Sequence, residues 1–188
     1  MNAMIHDDTL YKTKPSAEGR LPKEMAVYEL LEKLDIPYER LDHEATATIE
    51  ACQDVDKRLG IKICKNLFLC NAQKTKFYLL MMPGEKKFIT KEVCRQIQSP
   101  RLSFAPAEYM EELLDISPGA VSVMGLMNDR DKKVQLLIDR DVLEAEYLGC
   151  HPCVNTASLK LRTMDVIRRF LPFTEHDYIA VELTGNIQ

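Results

Sequence analysis

Long apolar runs are absent from this 188-residue sequence, and their absence argues against a membrane protein. No stretch approaches the roughly 18 consecutive apolar residues of a membrane-spanning helix. The first ten residues, MNAMIHDDTL, also lack the basic start and apolar run of a secretory signal. We therefore expect a protein of the cytoplasm that has no membrane partner.

The common signatures of catalysis are missing as well. The sequence contains no GxGxxG or GxxxxGK[ST] nucleotide-binding motif, no HExxH zinc motif and no GxSxG nucleophile motif. No internal repeat, low-complexity stretch or linker divides the chain. Any chemistry must therefore come from residues that are scattered along one domain.

Six cysteines are present, and most lie in apolar surroundings where a thiol behaves as a small hydrophobic side chain. Cys150 and Cys153 form a CxxC motif, but a structural zinc site usually needs a second ligand pair, which this sequence lacks. A thioredoxin-like pair sits early, between a strand and a helix, whereas this pair sits late. We predict no metal and no cofactor, with zinc or redox chemistry at this pair as the alternative.

Positive charge is concentrated in one part of an acidic chain. The net charge is −4, yet residues 57–95 contain ten basic and two acidic residues, a local balance of +8. The rest of the sequence carries −12. Such asymmetry is typical of a local patch that contacts phosphates, and scattered solvated lysines are the alternative.

The hydrophobic pattern predicts one α+β domain with a mixed, curled β-sheet and peripheral helices. Residues 1–21 are polar and aperiodic, so we predict a flexible N-terminal tail followed by a domain over 22–188. Predicted helices cover 22–34, 48–59 and 106–114, and two more begin at 90 and 163. Predicted strands cover 36–41, 63–70, 75–82, 134–138, 146–148, 158–161 and 178–183, and a loop at 117–125 leads into an extended segment.

Three polar insertions interrupt the apolar pattern. Lys65 and Asn66 lie in a strand suited to burial, where an ammonium needs water, a carboxylate or a ligand anion. Residues 118–122, PGAVS, allow a ligand to approach the backbone closely, and residues 149–155, GCHPCVN, include a histidine able to act as acid, base or donor. Taken singly, each also has an ordinary explanation as an edge-strand lysine, a turn or a structural histidine.

Taken together, these segments resemble the YbaK/prolyl-tRNA synthetase editing-domain family. The resemblance rests on KNLFL at 65–69, PGAVS at 118–122 with GLMND at 125–129, and GCHPCVNT at 149–156, and it spans residues 24–184. These elements look like the free-standing Ala-tRNA(Pro) deacylases rather than the Cys-tRNA(Pro) branch, which usually shows a KTL-type strand. One position departs from the family: Val123 stands where a G-x-x-x-P loop has proline, which bears on the amino acid removed.

The resemblance implies a cofactor-independent trans-editing hydrolase that cleaves the ester of mischarged tRNA(Pro), with Ala-tRNA(Pro) ranked first. It implies a catalytic set of Lys65, Gly119 and His151 around one small cavity. It also implies substrate contacts from Asn66, Ala120, Val121, Ser122 and Asn155. The partners would be the acceptor end of the tRNA and prolyl-tRNA synthetase. The alternatives are a Cys-, Ser- or Thr-tRNA deacylase on the same fold, or a non-catalytic module that senses aminoacyl-tRNA.

Overall fold

The computed structural model of the protein describes residues 9–45 and 49–185, without side chains at 49–52. Within these two ranges no helix is long and apolar enough to span a bilayer. Part of the predicted tail, residues 1–8, lies outside the described residues. The remainder approaches the first strand, since Tyr11 and Arg40 exchange two backbone hydrogen bonds of 2.9 and 2.7 Å. The flexibility of the tail and a domain boundary at residue 22 stay predictions.

The helices surround the sheets and follow the predicted pattern closely. They are α1 (Pro22–Lys33), α2 (Ile49–Leu59), α3 (Thr90–Gln96), α4 (Ala107–Leu114) and α5 (Arg140–Glu144). A last helical stretch consists of α6 (Thr163–Asp165), a π-helical segment (Val166–Phe170) and α7 (Leu171–Thr174). Val27, Leu30 and Leu31 of α1 are buried, as their helical spacing predicts.

Within residues 9–45 and 49–185, eight strands form two sheets. They are β1 (Tyr38–Asp42), β2 (Cys64–Cys70), β3 (Phe77–Pro83), β4 (Ser103–Phe104), β5 (Val134–Asp139), β6 (Tyr147–Cys150), β7 (Ala157–Arg162) and β8 (Tyr178–Val181). The smaller sheet has the order β1-β7-β6 and is antiparallel. The larger has the order β4-β2-β3-β5-β8, with antiparallel β4-β2-β3 and parallel β3-β5-β8 pairs. A parallel bridge between Ile63 and Gly149 joins the two sheets.

The large core fills the space between the sheets, α1, α4 and the last helical stretch. Side chains alternate along β2, so Phe68 faces this core while Leu69 faces a second cluster on the other side of the sheet. A third, small cluster packs α2 against the smaller sheet through Leu41, Val55 and Leu59. The predicted α+β class and mixed sheet are confirmed.

The segment after the glycine loop differs from the prediction. A 3₁₀ helix at Val123–Met127 replaces the predicted extended segment, and it is buried on nearly every side. A Cβ on Gly125 would lie 2.6 Å from the Ile116 side chain, so the helix packs tightly against the chain before it. Complete burial makes the apolar run continuous, which hides the helical period from the sequence. The short elements β4 and α5 were not predicted either.

Candidate functional site

The glycine loop at 119–122 lies against the loop at 151–155. Gly119 has φ +92°, a backbone conformation that a side chain strongly disfavours. A Cβ there would be 3.6 Å from Asn155 Nδ2, so the two loops are in van der Waals range at this point. Two of the three predicted segments are therefore neighbours in the structure.

Ser122 fastens these loops together. Its hydroxyl donates to the His151 carbonyl oxygen at 2.5 Å and accepts from the Met124 N–H at 3.2 Å. Ser122 is fully buried, so its hydroxyl has a structural role at the start of the 3₁₀ helix. The serine fixes the position of the His151 backbone relative to Gly119.

The backbone donors of the glycine loop differ in their availability. The Ala120 N–H donates to the Ser117 carbonyl oxygen at 3.2 Å, and its side chain is buried in the large core. Among the hydrogen bonds of the described residues, none uses the N–H of Gly119 or of Val121. Gly119 is exposed and Val121 is half-buried. The loop thus offers two N–H groups to a bound molecule.

The imidazole of His151 is held in one orientation. Its Nδ1 lies 2.8 Å from the Ala157 carbonyl oxygen, which can only accept, so Nδ1 carries the proton. Burial lowers the pKa of His151; the hydrogen bond to Ala157 opposes this shift and neighbouring His43 adds to it. The ring is consequently neutral at about pH 7, and its Nε2 has a lone pair that can accept a hydrogen bond.

Lys65 lies near the start of β2, on the strand face that also carries Leu67 and Leu69. The bridge between Ile63 and Gly149 is parallel, and Lys65 and His151 each follow two residues later in the same direction. The Lys65 ammonium itself donates to the Lys86 carbonyl oxygen at 2.9 Å, and no contact with Gly119 or His151 is among those described. Convergence of all three residues on one cavity stays a prediction.

Asn66 lies on the opposite face of β2, which faces the large core. Its Nδ2 donates to the Cys64 carbonyl oxygen at 3.1 Å. Its Oδ1 is buried and has no hydrogen-bond partner among the described residues. A buried amide oxygen without a partner is costly, so a donor from a ligand or water would stabilise it.

Sequence reasoning missed His43 and Ser158, which lie directly behind His151. His43 Nε2 is 2.8 Å from Ser158 Oγ, and the rings of His43 and His151 are 6.2 Å apart between centroids. Both residues are buried. In the sequence, His43 is only a histidine that follows a predicted strand. The pairing of β1 with β7 brings Ser158 beside His43, and this pairing cannot be recognised from the sequence alone.

Comparison with known proteins identifies the family. Residues 43–169, more than half of the chain, match the aminoacyl-tRNA editing domain. The chain belongs to this family. It is 30% identical over 158 residues to the Prolyl-tRNA editing protein ProX of Acetoanaerobium sticklandii, which covers 84% of this chain and 96% of that protein. This confirms the family that the three sequence segments resembled.

More distant relatives agree with this assignment. The Prolyl-tRNA synthetase associated domain-containing protein 1 of Danio rerio is 27% identical over 150 residues, covering 79% of this chain and 80% of that protein. A crystal structure of a protein proposed as a trans-editing enzyme for prolyl tRNA synthetase superposes with a TM-score of 0.64 at 16% identity. It covers 87% of this chain and 99% of its own, which shows a shared fold.

The basic residues of 57–95 in this editing domain include pairs at opposite ends of the β2–β3 hairpin. Lys74 and Lys76 lie in the turn between β2 and β3, whereas Lys62 and Lys86 lie at the other end of these strands, roughly 20 Å away. Lys62 is paired with Glu85 at 3.2 Å, and Lys86 is paired with Asp139 at 3.1 Å and with Asp141 at 2.8 Å. The positive charge is therefore divided and partly neutralised.

A cleft of about 340 Å³ opens between the start of β2, the end of β3 and α5 of the editing domain. None of the predicted site residues lines it. Apolar side chains, including Ile61, Val142 and Tyr147, form its walls, while Lys62 and three carboxylates complete its lining. The excess of carboxylates makes this cleft unfavourable for a nucleic-acid phosphate.

The CxxC pair of the editing domain lies in its large core. Cys150 and Cys153 are buried and free. Burial raises the pKa of both thiols, to about 12 for Cys153. A thiol that stays protonated is a poor nucleophile and a poor metal ligand. Within 9–45 and 49–185, no three His, Cys, Asp or Glu residues are grouped so that they could hold a metal ion.

Proposed function

We propose that this editing domain is a deacylase that hydrolyses the ester of mischarged tRNA(Pro), with Ala-tRNA(Pro) as its preferred substrate. Family membership and the 30% identity to a prolyl-tRNA editing protein support the reaction class. The observation that carries the proposal is the contact between the 119–122 loop and the loop of neutral His151. In this proposal the unpaired N–H groups of Gly119 and Val121 and the unprotonated Nε2 of His151 act on the ester.

In the proposed reaction, water attacks the ester carbonyl carbon and the bond to the ribose oxygen of the terminal adenosine breaks. One proton of the water passes to that oxygen, which leaves as the ribose hydroxyl, and the amino acid is released with a free carboxyl group. The negative charge that develops on the carbonyl oxygen would be stabilised by the N–H groups of Gly119 and Val121. His151 Nε2 would accept a hydrogen bond from the attacking water or from the free ribose hydroxyl. An aminoacyl ester is already labile, so positioning and charge stabilisation supply most of the acceleration without a nucleophilic side chain.

The remaining residues would bind the ends of the substrate. The Lys65 ammonium would exchange its carbonyl partner for the terminal phosphate, an anion that it binds more strongly. The partnerless Oδ1 of Asn66 and the side chain of Asn155 would accept and donate hydrogen bonds at the aminoacyl end. Contacts to the acceptor stem would be few because the basic surface is divided, so we expect weak, salt-sensitive binding.

Selectivity would come from pocket size. A proline-activating pocket rejects a smaller amino acid weakly, since a missing methylene is worth only about 1–3 kcal/mol. A second hydrolytic pocket that admits alanine and excludes the proline ring would supply the rest. Val123 is fully buried beneath the glycine loop, where it would help to set the width of that pocket.

The test is a deacylation assay with Ala-, Cys-, Ser- and Pro-charged tRNA(Pro) in parallel, with and without prolyl-tRNA synthetase. We expect Ala-tRNA(Pro) to be hydrolysed fastest and Pro-tRNA(Pro) to be spared. Faster hydrolysis of the cysteinyl or seryl ester would change the proposed substrate but leave the proposed reaction, ester hydrolysis, unchanged. Tight binding of aminoacyl-tRNA without hydrolysis would instead indicate a sensing module. The cytoplasm, where tRNA is charged, is the compartment that this function would require.

A further inference from the structure

A hydrogen-bonded chain extends from His151 into the smaller sheet. Ser158 Oγ lies 3.5 Å from His151 Nδ1 and 2.8 Å from His43 Nε2. His43 Nδ1 in turn lies 2.7 Å from the Glu44 carbonyl oxygen. Ser158 is fully buried, and His43 is only 2% exposed. Neither side chain can touch a bound tRNA, so any influence on the reaction must pass through His151.

The proton positions in this chain follow from its fixed ends. The Glu44 carbonyl can only accept, so His43 Nδ1 carries a proton and Nε2 of the neutral ring is bare. His43 Nε2 therefore accepts the hydroxyl proton of Ser158. With its proton committed to His43, the serine presents a lone pair to the Nδ1–H of His151. Burial, which lowers the pKa of His43, keeps this ring neutral.

The orientation of Ser158 matters because a hydroxyl can also donate. If His43 did not accept its proton, Ser158 could donate to a bare His151 Nδ1 and so stabilise the tautomer that is protonated at Nε2. That tautomer would place an acceptor against the Ala157 carbonyl oxygen and remove the lone pair at Nε2. The state of His43 therefore affects which tautomer His151 adopts: the form protonated at Nδ1, which can accept at Nε2, or the form protonated at Nε2, which cannot.

We propose that His43 is a positioning residue for His151 and acts through Ser158, by holding the serine proton so that the His151 tautomer with a free Nε2 is favoured. Its consequence for catalysis rests on the proposed deacylase function, whereas the tautomer itself is a property of the protein without tRNA. Ala157 supplies the stronger restraint, so His43 adjusts the population of the correct tautomer rather than creating it.

The tautomer can be measured directly from the nitrogen-15 chemical shifts of the imidazole rings in uniformly labelled protein. The wild type should show His151 as a single species protonated at Nδ1. His43→Leu should shift His151 toward a mixture of tautomers, because the released Ser158 hydroxyl can then donate to Nδ1. The double variant His43→Leu/Ser158→Ala, which lacks that hydroxyl, should keep His151 protonated at Nδ1 through Ala157. His43→Gln, whose amide oxygen can replace Nε2 as the acceptor, should restore the wild-type spectrum. His176, whose ring contacts Asp129 instead, is the internal control.

A deacylation assay of the same variants provides the second measurement. His43→Leu should lower kcat about tenfold with KM unchanged, less than the roughly 10²–10⁴-fold that a positioned proton acceptor supplies in total. His43→Gln should recover most of that loss. A wild type without hydrolysis would end the deacylase proposal and leave the tautomer result intact.

Unchanged His151 shifts in folded His43→Leu would overturn the positioning role, and so would an equal mixture of tautomers in the double variant. Equal loss in His43→Gln and His43→Leu would overturn it as well, since it would indicate packing rather than hydrogen bonding. If His43→Leu fails to fold, His43→Phe, whose ring likewise cannot accept the serine proton, takes its place.

Discussion

The substitution Gly119→Ala tests whether the backbone conformation of the 119–122 loop is needed for hydrolysis. The added methyl would lie 3.6 Å from Asn155 Nδ2, an ordinary contact, so the methyl itself creates no clash. The cost comes from the backbone angle φ of +92°, where alanine should lower the free energy of unfolding by about 1–2 kcal/mol relative to glycine. That corresponds to a drop in Tm of about 2–8 °C for a chain of this size. Any relief of the strain must rotate the loop and move the N–H groups of Gly119 and Val121.

Gly60→Ala is the matched control. Gly60 ends α2 at φ +66°, and a Cβ there meets nothing within 4 Å. Both variants should therefore lose similar stability in thermal unfolding, while only Gly119→Ala should lose kcat for Ala-tRNA(Pro), by about tenfold or more if one oxyanion donor is misplaced. Hydrolysis at the wild-type rate by Gly119→Ala, or an equal loss in Gly60→Ala, would refute the assignment of the oxyanion site to this loop.

The site leads to four further predictions. Ser122→Ala should lower the free energy of unfolding by about 1–3 kcal/mol in urea titrations, because the His151 carbonyl loses its partner; no change would contradict the fastening role. The kcat/KM should fall as pH drops through the His151 pKa, which lies below the ordinary value of 6.5, because protonation removes the Nε2 acceptor. Stability should also decline below about pH 6.5, since the unfolded chain binds protons that buried His43 and His151 resist; an acid-independent rate and Tm would contradict both. Cys153→Ser should retain hydrolysis, and the native thiol should resist alkylation at neutral pH, since burial raises its pKa to about 12; rapid labelling would revive the redox alternative.

Much of the fold could be predicted from periodicity alone. The spacing of Val27, Leu30 and Leu31 predicted α1, and two apolar runs predicted the β2–β3 hairpin, whose antiparallel pairing is confirmed. Local spacing is sufficient to predict these elements. The helix α1 buries one face, and β2 and β3 are short apolar runs separated by a polar turn. The 3₁₀ helix at Val123–Met127 was missed because it is buried almost completely, which removes the contrast that periodicity needs.

In the candidate site, too, short sequence segments could be predicted, whereas contacts between residues far apart in the sequence could not. Gly119 and His151 were predicted as site residues through the resemblance of their segments to the editing-domain family, and their catalytic roles stay predictions. Their contact through Ser122, and the pair formed by His43 and Ser158, depend on residues 29 and 115 positions apart in sequence. A single sequence does not show which distant residues are paired, so the geometry of these contacts is known only from the structure.

The account depends most on the 119–122 loop, His151 and Lys65 receiving the aminoacyl end of a tRNA together. A stable amide analogue of 3′-alanyl-adenosine 5′-phosphate, titrated into nitrogen-15-labelled protein, tests this directly. We expect the amide signals of Gly119 and Val121 and the ring of His151 to shift together with the Lys65 amide at one affinity. Shifts confined to the cleft beside Val142 and Tyr147, with those four signals unmoved, would contradict it.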